Sequence, residues 1–320
     1  MIHAPAANGI ICVYKQKDFT SFDVVAIMRK IFKTKKIGHG GTLDPMAEGV
    51  LPIFLGNATR AVDFQPDDGK EYLAGFRFGL TTDTQDITGR VLTTDSTYVS
   101  RNKMIFVERY KGEMEQIPPM YSAVKVDGEK LCNLARRGIE VERKPKKITV
   151  HSIKVEHYED NEGVMRVSCS KGTYIRTLIH DIGQDIGTGA VMTSLIRTRA
   201  GKFTIDDCYY LDDLRKIAVE EPEKLRKLLM GLERFYADYP MARLDSNQTR
   251  LFLNGVKLAA DRVRLDRIFD GVYAVLSDER IILGLAKIAQ DHSLEIIQRF
   301  RFSGILEESM EDRFNYDYDE

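Results

Sequence analysis

The chain has 320 residues, 43% hydrophobic and 30% charged, a composition that suits one large globular domain with a smaller one beside it. No apolar run is long enough to span a bilayer, and MIHAPAANG lacks the basic and apolar regions of a secretory signal. Cys12, Cys132, Cys169 and Cys208 form no CxxC pair and the six histidines form no HExxH or His-x-His pair, so a cytoplasmic protein without structural zinc or a catalytic metal is expected.

The net charge of −1 hides an asymmetry. The last 18 residues, Ser303 to Glu320, hold seven acids and one base, and the remainder carries 46 basic against 41 acidic residues. Two runs concentrate the excess: five bases between Arg29 and Lys36, and six bases against two acids between Arg136 and Lys147. Such runs suit phosphates, and equally suit a solvated surface.

In chain order, Gly9–Tyr14 is a buried strand candidate. Thr20 or Ser21 can cap a helix with Val24, Val25, Met28, Ile31 and Phe32 on one face. Tyr72, Ala74, Phe76, Phe78 and Leu80 alternate as in a strand, followed by a polar turn over Thr81–Gly89. Met104–Met114 reads as helical, Ser122–Val126 as a short strand, and Glu129–Arg137 as a helix stopped by Gly138. Ile148–Tyr158 and Val164–Ser170 read as strands joined by a turn over Glu159–Gly163. Lys171-Gly172-Thr173 leads into a helix with Ile175, Leu178, Ile179 and Ile182 inward. Past Ala237-Asp238-Tyr239-Pro240, short apolar runs separated by glycine predict a small β-rich unit up to Phe302, and the acidic tail reads as disordered.

One stretch concentrates turn chemistry around a single carboxylate. KIGHGGTLDPMAEGVLPIFLGNATR, Lys36–Arg60, places Asp44 among glycines and prolines before the apolar run Val50–Leu55. Glycine opens backbone conformations closed to other residues and proline fixes φ, so the segment reads as a shaped loop. Asp44 could be an Asx-turn residue before Pro45, or a side chain held at one place in a cleft.

Four stretches together resemble the TruB family of tRNA pseudouridine synthases: GIICVYKQKDFTSFDVV, the Lys36–Arg60 segment, QIPPMYSAVKVDGEKLCNLARRGIEV and CSKGTYIRTLIHDIG. The resemblance implies an α+β fold, the pseudouridine synthase fold, with a mixed, largely antiparallel sheet. It also implies a small C-terminal PUA-like β-barrel, dividing the chain into a catalytic domain over 1–236, an RNA-binding unit over 237–302 and a tail over 303–320. The implied reaction is isomerisation of uridine to pseudouridine at position 55 of the tRNA T-loop. The implied partner is the T-stem-loop, bound by a monomer without cofactor or metal. Asp44 falls on the family's catalytic aspartate, Tyr72 on the tyrosine that stacks on the target base, and Arg176 on the arginine paired with the carboxylate. His39 falls near the flipped nucleotide, and Tyr174 in GTYIR is assigned to substrate binding. Families of this type usually have threonine at Gly40 and Lys-Pro at Lys15-Gln16, departures that touch loop contacts rather than the chemistry.

The residues also have plainer readings. Tyr72 shares the period of Phe76 and Phe78, which is that of a core. Arg176 could be a solvent-exposed residue of a first helical turn, although arginine gains nothing from the dipole there and a carboxylate partner explains it better. His39 could be a surface loop residue. A non-catalytic RNA-binding or RNA-folding protein would keep the basic runs without needing Asp44, Tyr72 and Arg176 together. A guide-RNA-dependent synthase working in a complex is a second rival, separated by whether the purified chain alone acts on transcribed tRNA.

Overall fold

The computed structural model describes residues 7–66 and 69–300, so the acidic tail expected from Ser303 lies outside the described residues. A ten-stranded sheet organises the described residues up to Tyr209. Its strands run in the order Cys208–Tyr209, Gly9–Lys15, Glu48–Leu55, Ala190–Ala200, Lys70–Phe78, Glu162–Cys169, Lys146–Glu159 and Gly112–Gln116. Ile37–His39 and Phe203–Thr204 pair off this path. Only the pairings of Gly9–Lys15 with Cys208–Tyr209 and of Glu48–Leu55 with Ala190–Ala200 are parallel, so the sheet is mixed and largely antiparallel.

The apolar run after Asp44 is continuous because its strand, Glu48–Leu55, is covered on both faces. Val50 and Phe54 pack with Phe203 and Phe235, whereas Leu51, Ile53 and Leu55 face Val24, Val25 and Met28 of the helix Ser21–Ile31. That helix begins where a capping residue was expected. Thr20 Oγ1 accepts from Asp23 N at 3.0 Å while Asp23 Oδ2 accepts from Thr20 N at 2.8 Å, satisfying two otherwise orphaned donors. Pro52 is tolerated mid-strand because its carbonyl faces Gly40 N, 2.8 Å away, and the missing N–H faces that same loop rather than a strand ladder.

On the opposite half, Tyr72, Ala74, Phe76 and Phe78 alternate into a core shared with Leu178, Ile179 and Ile182 of the helix Ile175–Ile186. The expected turn over Glu159–Gly163 is tight, with Asp160 and Asn161 at φ 47° and 64°.

Some local expectations change. Met104–Met114 is not one helix: a 3₁₀ segment over Arg101–Tyr110 gives way to the edge strand Gly112–Gln116, which pairs with Lys146–Val150. Gly112, at φ 114°, makes the break. The polar turn over Thr81–Gly89 belongs to a hairpin between Leu80–Thr82 and Val91–Thr94. The central strand Ala190–Ala200 carries no clean alternation in sequence, because its polar half contains an arginine, Arg197, that the fold buries completely.

Beyond Pro240 a six-stranded sheet has the order Leu258–Ala259, Ser293–Arg299, Ile282–Ile288, Val272–Ser277, Met241–Leu244 and Arg264–Leu265. It curls around Phe252, Tyr273, Val275 and Leu294 in a PUA-like arrangement. Its other face is also covered: Ala274, Leu276, Ile282 and Leu285 pack with Phe54, Phe235, Tyr236 and Phe300. Two-sided burial is why the runs Val272–Ser277 and Ile282–Ile288 lack polar alternation. Tyr236 stacks on Phe300 with ring centroids 5.8 Å apart, and its hydroxyl donates to Phe64 O at 3.0 Å. Among the described residues no helix is long and apolar enough to cross a membrane.

Candidate active site

The loop that carries Asp44 is held from three sides. From the first strand, the fully buried Lys15 donates through Nζ to Gln16 O at 3.0 Å and to Pro45 O at 3.2 Å, and Asp18 N donates to the same Pro45 carbonyl at 2.8 Å. From the helix start, Ser21 Oγ accepts from Leu43 N at 2.8 Å and returns a bond to Leu43 O at 3.2 Å. From the central strand, Arg197 donates through Nε to Val50 O at 2.7 Å and through Nη2 to Gly41 O at 3.1 Å. Gly49 lets that strand approach: it sits at φ 105°, and a Cβ there would lie 2.3 Å from Arg197 O. Gln16 leaves the Lys15 contacts in place. At Gly40, a Cβ would lie 2.4 Å from Gln65 Oε1, so in this chain the Gln65 side chain fills the space a threonine at 40 would need.

So held, Asp44 Oδ2 lies 3.0 Å from Arg176 Nη2. Asp44 is one-third exposed and Arg176 almost fully buried, so the pair joins a cleft to the interior. Arg176 is buried because it reaches inward from the start of helix Ile175–Ile186 to three further acceptors. Nη2 donates to Tyr121 O at 2.7 Å, Nη1 donates to Thr84 O at 3.5 Å, and Nη1 lies 3.6 Å from Asp86 Oδ2. The exposed-helix reading of Arg176 is therefore wrong. Asp86 is the partner that sequence reasoning missed. It lies inside the stretch read as a polar turn, yet it is buried, with Oδ1 accepting from Thr84 Oγ1 at 2.9 Å and Thr88 N at 3.0 Å. Its position in a D-x-T sequence could have suggested an Asx-type turn; nothing local pointed to Arg176, ninety residues on.

Burial pushes the Asp44 carboxyl above the usual carboxylate range; Arg176 opposes this, Asp86 adds to it and Lys15 opposes it. The planar guanidinium fork thus spans two carboxylates, one buried and anchored, the other at the cleft. Such an arrangement can hold Asp44 ionised and aimed without surrounding it with water.

Tyr72 is buried with Leu43, Met46 and Ala47 beneath the Asp44 loop and pairs in register with Arg197. Burial raises its phenol, an effect opposed by Arg197, and the charge of Asp44 is also felt there. Tyr174 precedes the helix. Its backbone is gripped by the Gln116 side chain, which accepts from Tyr174 N at 2.8 Å and donates to Tyr174 O at 3.0 Å. Its phenol is raised by burial and lies within electrostatic reach of Arg176 and Asp44. Asp44, Tyr72, Tyr174 and Arg176 therefore converge. His39 stands apart, at the end of strand Ile37–His39, its Nδ1 accepting from Gly41 N at 3.4 Å. Burial and then Arg197 lower its pKa, which disfavours the charged ring. A recess of about 160 Å³ adjoins the Gly40–Gly41 turn, with Lys70, Lys171 and Lys202 among its walls, and Asp44 is not part of it. Among the described residues no group of three metal-ligating side chains comes together.

Comparison with known proteins identifies the family. Residues 29–175 match the model of the TruB family pseudouridylate synthase N-terminal domain, and residues 176–236 match that of the tRNA pseudouridylate synthase B C-terminal domain. The tRNA pseudouridine synthase B of Clostridium tetani is 45% identical over 263 residues, 82% of this chain and 89% of the relative. That of Dehalococcoides mccartyi is 41% identical over 261 residues, 80% and 85% of the two chains. Among solved structures, a chain of a Cbf5-Nop10-Gar1 complex superposes with a TM-score of 0.72 at 29% identity, covering 92% of this chain and 86% of that one. A chain of an H/ACA RNP bound to a substrate RNA containing 2'-deoxyuridine gives 0.71 at 26%, covering 93% and 87%. This chain belongs to the TruB family of pseudouridylate synthases.

Proposed function

We propose that this protein isomerises uridine to pseudouridine in tRNA, at position 55 of the T-loop, with Asp44 as the reacting carboxylate. The observation that carries the reading is the 3.0 Å pair between Arg176 and a loop-held, cleft-facing Asp44. The reaction breaks the N1–C1′ bond, turns the uracil and joins C5 to C1′, with no net redox change and no water consumed. It needs a carboxylate at the ribose or base, as nucleophile or base, and it needs the detached base kept from water. The buried Leu43, Met46 and Ala47 provide an apolar wall beside the carboxylate. A uridine within a folded loop must leave its stack, at a cost of a few kcal/mol, and an aromatic platform such as Tyr72 offsets part of that cost. Tyr174 and His39 take polar parts of the RNA.

The exposed bases Lys30, Lys33, Lys35 and Lys36, and Arg136, Arg137, Lys144, Lys146 and Lys147, suit contacts to the tRNA backbone. In this reading residues 1–236 carry the chemistry and 237–302 grip distal tRNA, in a cytoplasmic monomer that uses no cofactor. Curated relatives named as tRNA enzymes favour this over guide-RNA dependence, although similar solved chains come from H/ACA complexes.

The test uses the purified chain alone with transcribed tRNA. Wild type should form pseudouridine in the T-loop. Asp44→Asn, similar in shape but without the reactive carboxylate, should bind tRNA normally and form none over long incubation. An Asp44→Asn rate near wild type would leave the segment a structural loop, and activity only on addition of a guide RNA would select the other reading.

A further inference from the structure

An aromatic ring left in water is informative, because phenylalanine is normally covered. Phe22 is 63% exposed on the outer side of helix Ser21–Ile31. Its face of the helix continues through the exposed Ala26 to Arg29, two turns on. The guanidinium carbon of Arg29 lies 5.5 Å from the centroid of the Phe22 ring, so a cation is already held against the aromatic. Arg29 is half-buried: its Nε is enclosed and unpartnered, and the side chain makes no hydrogen bond or ion pair with any described residue. A guanidinium fixed in this way and given no acceptor offers its donors to an anion that approaches the ring.

The place of this pair in the fold links it to Asp44. Ser21, the residue before Phe22, bonds in both directions to Leu43, at 2.8 Å and 3.2 Å, so the start of the helix is fastened to the loop that carries the carboxylate. Beyond the helix the chain runs through the exposed Lys33, Lys35 and Lys36 into strand Ile37–His39, where Gly41 N donates to His39 Nδ1 at 3.4 Å. Both ends of the segment 21–39 therefore meet the Asp44 loop, with the ring at one end and the basic run at the other. The acid beside Phe22, Asp23, is occupied: its Oδ2 accepts from Thr20 N at 2.8 Å and from Thr20 Oγ1 at 2.7 Å. The surface around the ring is thus cationic, which fits a polyanion better than a second apolar protein face. A nucleic acid is the polyanion that also supplies flat rings, and bases stack on exposed aromatics whatever their sequence.

We propose that Phe22 and Arg29 form a nucleotide platform outside the Asp44 cleft, on which an unpaired base of the bound tRNA stacks against Phe22 while Arg29 donates to a backbone phosphate of the same strand. The inference rests on the tRNA substrate proposed above and adds to it a nucleotide contact separate from the flipped uridine. The two halves of the platform differ in their response to salt. A phosphate contact releases counterions and weakens as salt rises, whereas stacking on a neutral ring releases none.

The test measures the affinity of the full chain for transcribed tRNA by filter binding over a range of salt, in wild type, Phe22→Ala, Phe22→Trp and Arg29→Gln. Thermal unfolding and sedimentation of each protein alone accompany it. Phe22→Ala should weaken binding about 5- to 100-fold, by a similar factor at every salt concentration. Its unfolding midpoint should stay within about 2 °C of wild type, because the lost ring is mostly exposed. Phe22→Trp, with a larger stacking surface, should bind at least as tightly as wild type. Arg29→Gln should make the slope of log affinity against log salt less negative by roughly 0.7–0.9, the share of one phosphate contact. Affinity of Phe22→Ala within twofold of wild type throughout would overturn the proposal. So would a tryptophan variant as weak as alanine, or a lowered midpoint that accounts for the weaker binding. A wild-type dimer lost in Phe22→Ala, with tRNA affinity kept, would assign the ring to a second copy of the chain and equally overturn it. Affinity is read without turnover, so the platform and the reaction fail separately: a wild type that needs Phe22 to bind tRNA but forms no pseudouridine would sink the reaction and leave the platform standing.

Discussion

Replacing Arg176 by lysine keeps the positive charge and removes the fork. The guanidinium meets Asp44 through Nη2 at 3.0 Å and Asp86 through Nη1 at 3.6 Å, while Nη2 also holds Tyr121 O at 2.7 Å. A single ammonium cannot stand in both places. Asp86 is buried and bonded to Thr84 and Thr88, so the ammonium settles toward it, and Asp44 loses its charge-assisted partner. Such a bond is worth about 1.5–3 kcal/mol. If it is lost where the carboxylate reacts, turnover should fall by roughly 10- to 150-fold. Affinity for tRNA should change by less than about threefold, because a buried arginine does not meet backbone phosphates. Arg176→Met removes the charge too. Burial and Asp86 would then raise the Asp44 carboxyl further, and the acid limb of the rate profile should move to higher pH, more than in the lysine variant. The assay is single-turnover pseudouridine formation across pH 5–8 with binding measured in parallel. A lysine variant within threefold of wild-type turnover would show that the pair does not serve the reaction.

Asp86→Ala should lower stability by about 3–5 kcal/mol, read as a shifted urea midpoint, because it leaves Arg176 with one carboxylate and the Thr84–Thr88 turn without its acceptor; an unchanged midpoint would argue against that network. Lys15, pulled down to about 8 by burial, should make the protein more stable as pH rises from about 8 toward 10.5, since the folded state sheds a buried charge there before the unfolded state does. Lys15→Met should flatten that rise, and an equal slope in both proteins would refute the assignment. Tyr236→Ala should cost about 3–5 kcal/mol and loosen the C-terminal sheet, as limited proteolysis around 237–240 would detect; an intact, equally stable variant would mean the shared aromatic core is dispensable.

Much of this protein was readable before any fold was known. Local rules sufficed wherever a few neighbouring residues decide the outcome: the Thr20–Asp23 capping box, the alternation Tyr72–Phe78, the turn at Asp160-Asn161, and the shaped loop around Asp44. The family resemblance added Arg176, Tyr72 and Tyr174, which composition and period could not separate from core or surface. What escaped were contacts made by residues distant in the chain. Cys12 and Cys208 look isolated in sequence, yet they are register partners with sulfurs 3.2 Å apart. Lys15 and Arg197 look like surface charges, but the sheet buries both and turns them into clamps on the loop Gly41–Val50. Asp86 looks like turn chemistry until helix Ile175–Ile186 delivers Arg176 to it. A charged side chain reads as exposed because desolvation normally forbids anything else. Only the tertiary structure can supply the partners that lift that prohibition, and in this protein they include strands and loops 30 to 156 residues away.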